Sequence, residues 1–381
     1  MADLLSKLRM LDAAPRRPAP AARGAQEGCY RSQATFPLPI FTDLRHLTPA
    51  VMESAFGFPF PSDLRPEDIL FLDTETTGLA GGAGTVAFLV GMGYFTGRDF
   101  AVEQVLMRDY GQESELLRTV SSVAGRFSVL CTFNGRTFDA PLLASRFVMN
   151  RLPSRLPSVH ADVLYPARRL WKLRIKSCRL ANLEAQILGV PREHDLPGSE
   201  VPGRYFSFLK TGDESLLTDV LDHNREDVVS LGKLLAVLSE AYFQPEMISD
   251  PIDLFSAGRA FERRGEDHTA RRLYVLASAP RPITSLSALT AQKYAGEANA
   301  RLYAMYRRAQ DWENALAVLS CMLARRQKLA FAHVELAKYL EHRKRDYAEA
   351  LRHVDAALAL APEAERAALT HRRERLIRKM R

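Results

Sequence analysis

Three apolar runs follow one another between Asp68 and Asp109 with only short connections between them: DILFLD, TVAFLVGMGYF and FAVEQVLMRD. Two such runs joined by a Gly-containing turn make a hairpin. The third sets Ala101, Glu103 and Val105 against Val102, Gln104 and Leu106, the period of a strand. Downstream the period changes. A helix is expected over ESELLRTVSSVAG, a strand over FSVLCTFNG, a helix over Ala140 to Met149 and a short strand over SVHADV. Three antiparallel strands followed by strands alternating with helices describe an α/β domain, a mixed sheet flanked by helices. Upstream, FPLPIF and FGFPFPSD read as a Pro-rich approach that wraps the domain surface. GLAGGAG tempts a phosphate-loop reading, but a strand and not a helix follows it, so a flexible hairpin loop is expected there.

At 381 residues the chain exceeds one ordinary domain. Residues 1–30, rich in Pro, Ala and Arg, read as a flexible tail, and 31–245 as the α/β domain. Residues 250–381 read as an all-α domain, with Ala and Leu at three- and four-residue spacing. Within it RGEDHTARRLYVLAS, AQDWENALAVLSCML and KRDYAEALRHVDAAL align at Ala270, Ala315 and Ala350, 45 and then 35 residues apart. The second spacing is close to that of the tetratricopeptide repeat, which makes this a TPR-like helical-repeat domain. Such stacks bind a protein partner through a groove.

The N-terminus lacks the apolar centre of a secretory signal, and the apolar stretch from Thr85 to Phe95 is too short to span a bilayer. Cys29, Cys131, Cys178 and Cys321 show no CxxC pairing, so neither a structural zinc nor a disulfide framework is expected. The expectation is a cytoplasmic protein with no membrane partner. The net charge of +7 is uneven: eight Arg or Lys face one acid between Arg151 and Leu180, and six face one Glu in HRRERLIRKMR. Such clusters suit a polyanion through counterion release, and they equally suit a solvated surface. Arg168, Arg169, Lys172, Arg174 and Lys176 could follow a phosphate backbone. Tyr165 and Trp171, at helical spacing among them, read as core.

The chemistry resides in three acidic segments. DTETTGL closes the first strand with Asp73 and Glu75 pointing the same way. TFNGRTFDAPLL places Asp139 just beyond a later strand, with Asn134 and Gly135 as the turn. VLDHNREDVVSLGKLL is an amphipathic helix that stacks His223 and Asp227 on one face, with Val220, Val228, Leu231 and Leu235 buried. Four carboxylates near strand ends repel one another unless cations stand among them. Oxygen-rich sites with open positions suit Mg²⁺ or Mn²⁺. Two such ions about 4 Å apart activate a water and stabilise the leaving oxygen of a phosphodiester. Asp162, in SVHADV, reads as a structural turn acid.

DTETTGL, NGRTFD and HNRED, in that order, resemble the three motifs of the DEDD superfamily of 3′–5′ exonucleases, proofreading-type nucleases on a ribonuclease H-like fold. KSCRLANLEAQILGV and DLPGSEVPGRYFSFLKTGD are similar to segments of the bacterial YprB-type ribonuclease H-like proteins, which join that domain to tetratricopeptide-like repeats. The resemblance covers residues 30–240, and the helical region loosely. It implies that Asp73 bridges two metal ions, that Glu75 and Asp227 complete the site of the nucleophilic water, and that Asp139 supports the second ion. It further implies that Thr76, Thr77, Gly78 and Leu79 cradle the terminal nucleotide, with Asn134 and Phe138 shaping the pocket. His223 departs from the pattern. One subclass carries a His five residues before the last Asp and the other a Tyr four before it; here a His stands at the Tyr spacing. It is the expected general base, since an imidazole titrates at about 6.5.

The expected activity is a two-metal 3′–5′ exonuclease acting on the 3′ end of DNA or RNA, its polarity taken from the resemblance. Two rivals remain: a structure-specific endonuclease using the same acids, and a nucleic-acid or protein scaffold acting through the helical repeats. The residues do not separate DNA from RNA.

Overall fold

The computed structural model describes residues 28–78, 84–192, 196–280 and 286–381. The tail expected over 1–30 lies outside the described residues as far as residue 27, and so does most of the GLAGGAG loop. In chain order the first part comprises β1 (Tyr30–Pro37), α1 (Pro49–Phe56), β2 (Ile69–Thr76), β3 (Ala87–Phe95), β4 (Asp99–Leu106), α2 (Glu113–Ala124), β5 (Val129–Thr132), α3 (Asp139–Met149), β6 (Val159–Asp162) and α4 (Leu164–Ile175). Then come α5 (Leu180–Leu183), continued by a π-turn at Glu184–Leu188, α6 (Val201–Thr211) and the long α7 (Thr218–Phe243).

The strands form one six-stranded sheet in the order β1-β4-β3-β2-β5-β6. Neighbours from β1 to β2 are antiparallel, while β5 and β6 run parallel to β2. Helices cover both faces, which is why β2 reads as a continuous apolar run. Ile69 and Phe71 join Met52 of α1, Leu170 of α4 and Leu231 of α7 on one side. Leu70 and Leu72 join Leu116 of α2, Phe147 of α3 and Tyr205 of α6 on the other.

FGFPFPSD and most of FPLPIF lie on or near the surface, and the upstream segment adds a strand and a helix to that wrap. Tyr30–Pro37 is an edge strand paired with β4, with Ser32 opposite Gln104. Phe41 is buried against the rings of Phe95 and Phe100, and Val51, Met52 and Ala55 of α1 enter the core. Between Tyr30 and Phe36 the inner positions of YRSQATFP are Ser32 and Ala34, so its period of two carries little hydrophobic contrast.

Two glycines let α7 lie close on the sheet. A Cβ at Gly91 would stand 2.3 Å from Asn224 Oδ1 and 2.9 Å from Val228 Cγ2, and one at Gly93 2.5 Å from Val228 Cγ1. Only hydrogen fits beneath the helix there.

Beyond Pro251 every regular element among the described residues is helical: α8 (Pro251–Arg263), α9 (Asp267–Ala277), α10 (Leu286–Arg308), α11 (Trp312–Ala324), α12 (Leu329–Tyr339), α13 (Tyr347–Leu360) and α14 (Glu363–Met380). Consecutive helices pack on one another. Ala270, Ala315 and Ala350, the three aligned positions, are all fully buried on α9, α11 and α13. Asp311 and Asp346 cap α11 and α13, accepting from Asn314 N at 3.1 Å and Glu349 N at 3.0 Å. Phe255 of α8, Leu273 of α9 and Leu302 of α10 belong to the same apolar cluster as Phe71 and Leu231, so the first helices rest on the sheet's own core.

The basic stretch on α4 serves that junction in part. Arg174 Nε donates to the buried Asp253 of α8 at 2.7 Å, and Arg169 Nη1 donates to Ala55 O at 2.7 Å. Trp171 is buried and Tyr165 is exposed. At the other end, Arg372, Arg375 and Lys379 of α14 converge on the carboxylate of Glu341. Burial alone would raise that carboxyl, but Arg375 and Lys379 prevail and hold it at about 2. Half of the C-terminal basic run is thereby committed inside the fold.

Candidate active site

The C-terminal end of β2 carries the paired acids. Asp73 and Glu75 alternate with the buried Thr74 and Thr76, so the two carboxylates share one side of the strand. Asp139 opens α3 and accepts a short hydrogen bond from the Thr74 hydroxyl. One turn of α7 supplies both His223 and Asp227. The imidazole Nε2 stands 3.9 Å from Glu75 Oε1 and 3.7 Å from Asp227 Oδ2.

Proton affinities show that the four acids act on one another. Burial, then the charges of Asp227, Glu75 and Asp139, push Asp73 well above the usual carboxylate range. Burial, then Asp227 and Asp139, push Glu75 up to about 8. Asp139 rises to about 6, chiefly through burial and against the Thr74 hydrogen bond. Asp227 is raised by burial, opposed by His223 and Arg192. All five expected catalytic residues are thus brought to one place from β2, α3 and α7.

Residues beyond the expected set hold them there. Asn224, fully buried, donates from Nδ2 to Asp73 Oδ2 at 2.9 Å. Arg192 donates from Nη2 to Glu184 Oε1 at 2.6 Å and, in a shorter bond, to Asp227 Oδ1. Its Nη1 stands 3.1 Å from His223 Nδ1. Asn224 stands inside HNRED, and its neighbour His223 drew the attention there. Arg192 and Glu184 follow no periodic or spaced pattern and become visible only when the chain is folded.

Asp162 is structural, as expected, but it serves the site's loop. Its carboxylate accepts from the backbone N of Asn134 at 2.8 Å, Arg136 at 3.0 Å and Leu164 at 3.1 Å. Asn134 adopts a left-handed φ of 64° and is exposed, and Phe138 immediately precedes α3. Gly135 is obligatory in this loop, because a Cβ would stand 2.6 Å from the Thr132 side chain and 2.9 Å from Asp139 Oδ2. Thr76 Oγ1 donates to Gly78 O at 2.8 Å, and Thr77 Oγ1 accepts from Val86 N at 3.0 Å, which pins the strand end. Leu79 lies outside the described residues.

The donor set suits hard dications: all four acids offer carboxylate oxygens, burial raises the proton affinity of each, and neighbouring acids of the set add to it at Asp73 and Glu75. Among the described residues, no group of three or more His, Cys, Asp or Glu stands in ligating geometry. Asp73, Asp139 and Asp227 are each drawn to a separate donor: Asn224, Thr74 and Arg192.

An antiparallel β1-β4-β3-β2 sheet extended by parallel β5 and β6 is ribonuclease H-like, and residues 70–239 match the family model described as the RNase H superfamily. Over 299 residues the chain is 32% identical to an uncharacterized protein, YprB, of Bacillus subtilis strain 168, spanning 77% of this chain and 69% of that relative. The chain belongs to the YprB family of RNase H-superfamily proteins. Among solved structures, the family B DNA polymerase of the hyperthermophilic archaeon Pyrobaculum calidifontis aligns at 15% identity with a TM-score of 0.36. That alignment covers 66% of this chain and only 30% of the polymerase chain. Among the described residues, no helix is long and apolar enough to cross a membrane.

Proposed function

We propose that the chain is a metal-dependent nuclease, a 3′–5′ exonuclease that hydrolyses terminal phosphodiesters of DNA or RNA. The observation that carries this is the mutual repulsion of Asp73, Glu75, Asp139 and Asp227 at one sheet end of an RNase H-superfamily domain. Asp73, Glu75, Asp139 and Asp227 would hold two Mg²⁺ or Mn²⁺ ions, which supply a water of lowered pKa and charge stabilisation at the leaving oxygen. The protein's part is then positional. The loop fastened by Asp162 places Asp139, the pinned backbone from Thr76 to Gly78 faces the terminal nucleotide, and His223 contacts the attacking water. The preference for a 3′ end rests on the resemblance to DEDD exonucleases. The division into residues 31–245 for chemistry and 250–381 for a protein partner rests on the all-helical, pairwise packing beyond Pro251.

End-labelled single- and double-stranded DNA and RNA, incubated with Mn²⁺ or Mg²⁺, test the reading beside Asp73→Ala. Dication-dependent cleavage that Asp73→Ala abolishes supports it, and equal cleavage by both proteins overturns it. Cutting of a circular strand, or of a 3′-blocked one, would assign an endonuclease instead. Tight partner binding through the helices without any cleavage would leave a scaffold.

A further inference from the structure

Arg192 is the charged group in the site that the proposed chemistry leaves without a task. Its side chain is 9% exposed, and its terminal nitrogens reach Glu184, Asp227 and His223 among the described residues. Glu226 lies at the margin, its Oε2 3.9 Å from Arg192 Nε. A guanidinium has only hydrogens to offer, so the imidazole must accept across the 3.1 Å contact through the Nδ1 lone pair. A neutral imidazole carries one ring hydrogen. With Nδ1 accepting, that hydrogen stands on Nε2, the nitrogen that faces Glu75 and Asp227.

Glu184 explains why Arg192 does not simply neutralise the catalytic acids. It is buried in the π-turn that follows α5, and its charge offsets that of Arg192 from behind. Arg192 and Glu184 together form a balanced pair, one cation and one anion. When ionised, Asp73, Glu75, Asp139 and Asp227 carry four negative charges, a number that two dications would match. Arg192 is therefore placed to orient, with its counterion supplied from outside the quartet.

We propose, resting on the two-metal nuclease reading, that Arg192 is a positioning residue. It fixes the Asp227 carboxylate and keeps the His223 hydrogen on Nε2. His223 then works as a hydrogen-bond donor toward the attacking water, from the nitrogen that faces Glu75 and Asp227. This revises the general-base role expected from the sequence.

The tautomer can be read without catalysis. In full-length ¹⁵N-labelled protein, imidazole nitrogen shifts distinguish the two neutral forms, and His223→Gln identifies the signals that belong to this ring. The wild type should show hydrogen on Nε2, and Arg192→Met should move His223 toward a mixture of the two forms. In the same variant, Mn²⁺-dependent kcat should fall about 10–100-fold with KM unchanged, the range for a group that orients a metal ligand. Glu184→Gln, which removes the anchor and keeps its shape, should move both readouts the same way by less. A wild-type ring carrying hydrogen on Nδ1, or unmoved His223 shifts in a folded Arg192→Met, overturns the proposal even if activity falls. Should Arg192→Met not fold, Arg192→Lys, which keeps the charge and loses the fork, is judged by the same two outcomes. The expected shift in a protein that cleaves nothing would uphold the Arg192 clamp and overturn the nuclease reading alone.

Discussion

Asn224 and Asp73 lie 151 residues apart in the chain and are joined by a 2.9 Å hydrogen bond from the Asn224 amide to Asp73 Oδ2. Asn224 Oδ1 in turn accepts from Gln104 Nε2 at 2.9 Å, and Gln104 Oε1 accepts from Ser32 Oγ at 3.0 Å. A relay of side chains therefore runs from the edge strand β1, through β4 and α7, to the first acid of the site. Each amide is oriented by the neighbour it meets, so the hydrogen that reaches Asp73 is fixed in place.

Asn224→Leu breaks this relay at its centre. Asp73 loses a buried donor and Gln104 keeps only Leu221 O, at 2.8 Å, for its amide hydrogens. The variant should lose about 1–3 kcal/mol of stability, the cost of buried polar groups left unmet. Urea denaturation measures this, and calorimetry should show Mn²⁺ affinity reduced about tenfold, as for other partners that orient ligands. An unchanged urea midpoint would show that the relay does not contribute.

Gly91→Ala perturbs the same place from below without removing any polar group. The new methyl would fall 2.3 Å from Asn224 Oδ1 and 2.9 Å from Val228 Cγ2, so α7 must lift or Asn224 must turn. Overpacking of this kind costs about 1–3 kcal/mol. Activity should fall more than stability, because the displaced amide is the one bonded to Asp73. A variant with a lower melting temperature and wild-type turnover would separate the glycine from the site.

The sheet from β2 to β6 was legible because apolar runs and Gly-containing turns announce strands whichever partners they find. The acids were legible for a similar reason: Asp73 with Glu75, and His223 with Asp227, share a face through strand and helix periods alone. β1 was missed because only Ser32 and Ala34 stand between Tyr30 and Phe36 on its inner face and its partner β4 lies some 70 residues away. Arg192, Glu184 and Gln104 were missed because their roles arise from contacts across the fold, which no local period encodes. The basic stretch on α4 is legible in the sequence only as charge. Charge counted along a chain cannot tell Arg169 and Arg174, which bond to protein groups, from cations left to a polyanion.

Arg174 and Asp253 join α4 to the helical region through a charged pair whose acid is nearly sealed from solvent. Burial raises the Asp253 carboxyl to about 6 even with Arg174 beside it. Arg174→Met would leave that acid without its cation and should cost about 1–3 kcal/mol at neutral pH. Without Arg174 the carboxyl rises further, and an acid raised by folding stabilises the fold only while protonated. The deficit should therefore narrow as pH falls to 5, measured by thermal melts of parent and variant. A deficit that widens in acid would refute this account of the junction.

The same linkage governs the acids of the site, and it ties their protonation to the proposed ions. Glu75 rises from 4.5 to about 8 on folding and Asp139 from 3.8 to about 6, so the folded chain binds more protons than the unfolded chain between those limits. Stability from this source is complete below the unfolded values and is lost as pH climbs through the folded ones. Protein dialysed against EDTA should accordingly lose melting temperature between pH 5 and pH 8.5. Glu75→Gln, uncharged throughout, should lose less over the same interval. Mn²⁺ should restore the parent most at the alkaline end, where the carboxylates are ionised and free to bind it, and should do little at pH 5. A Mn²⁺ shift of equal size at both pH values would place the ion elsewhere, because ions bound by these oxygens must compete with the protons they hold.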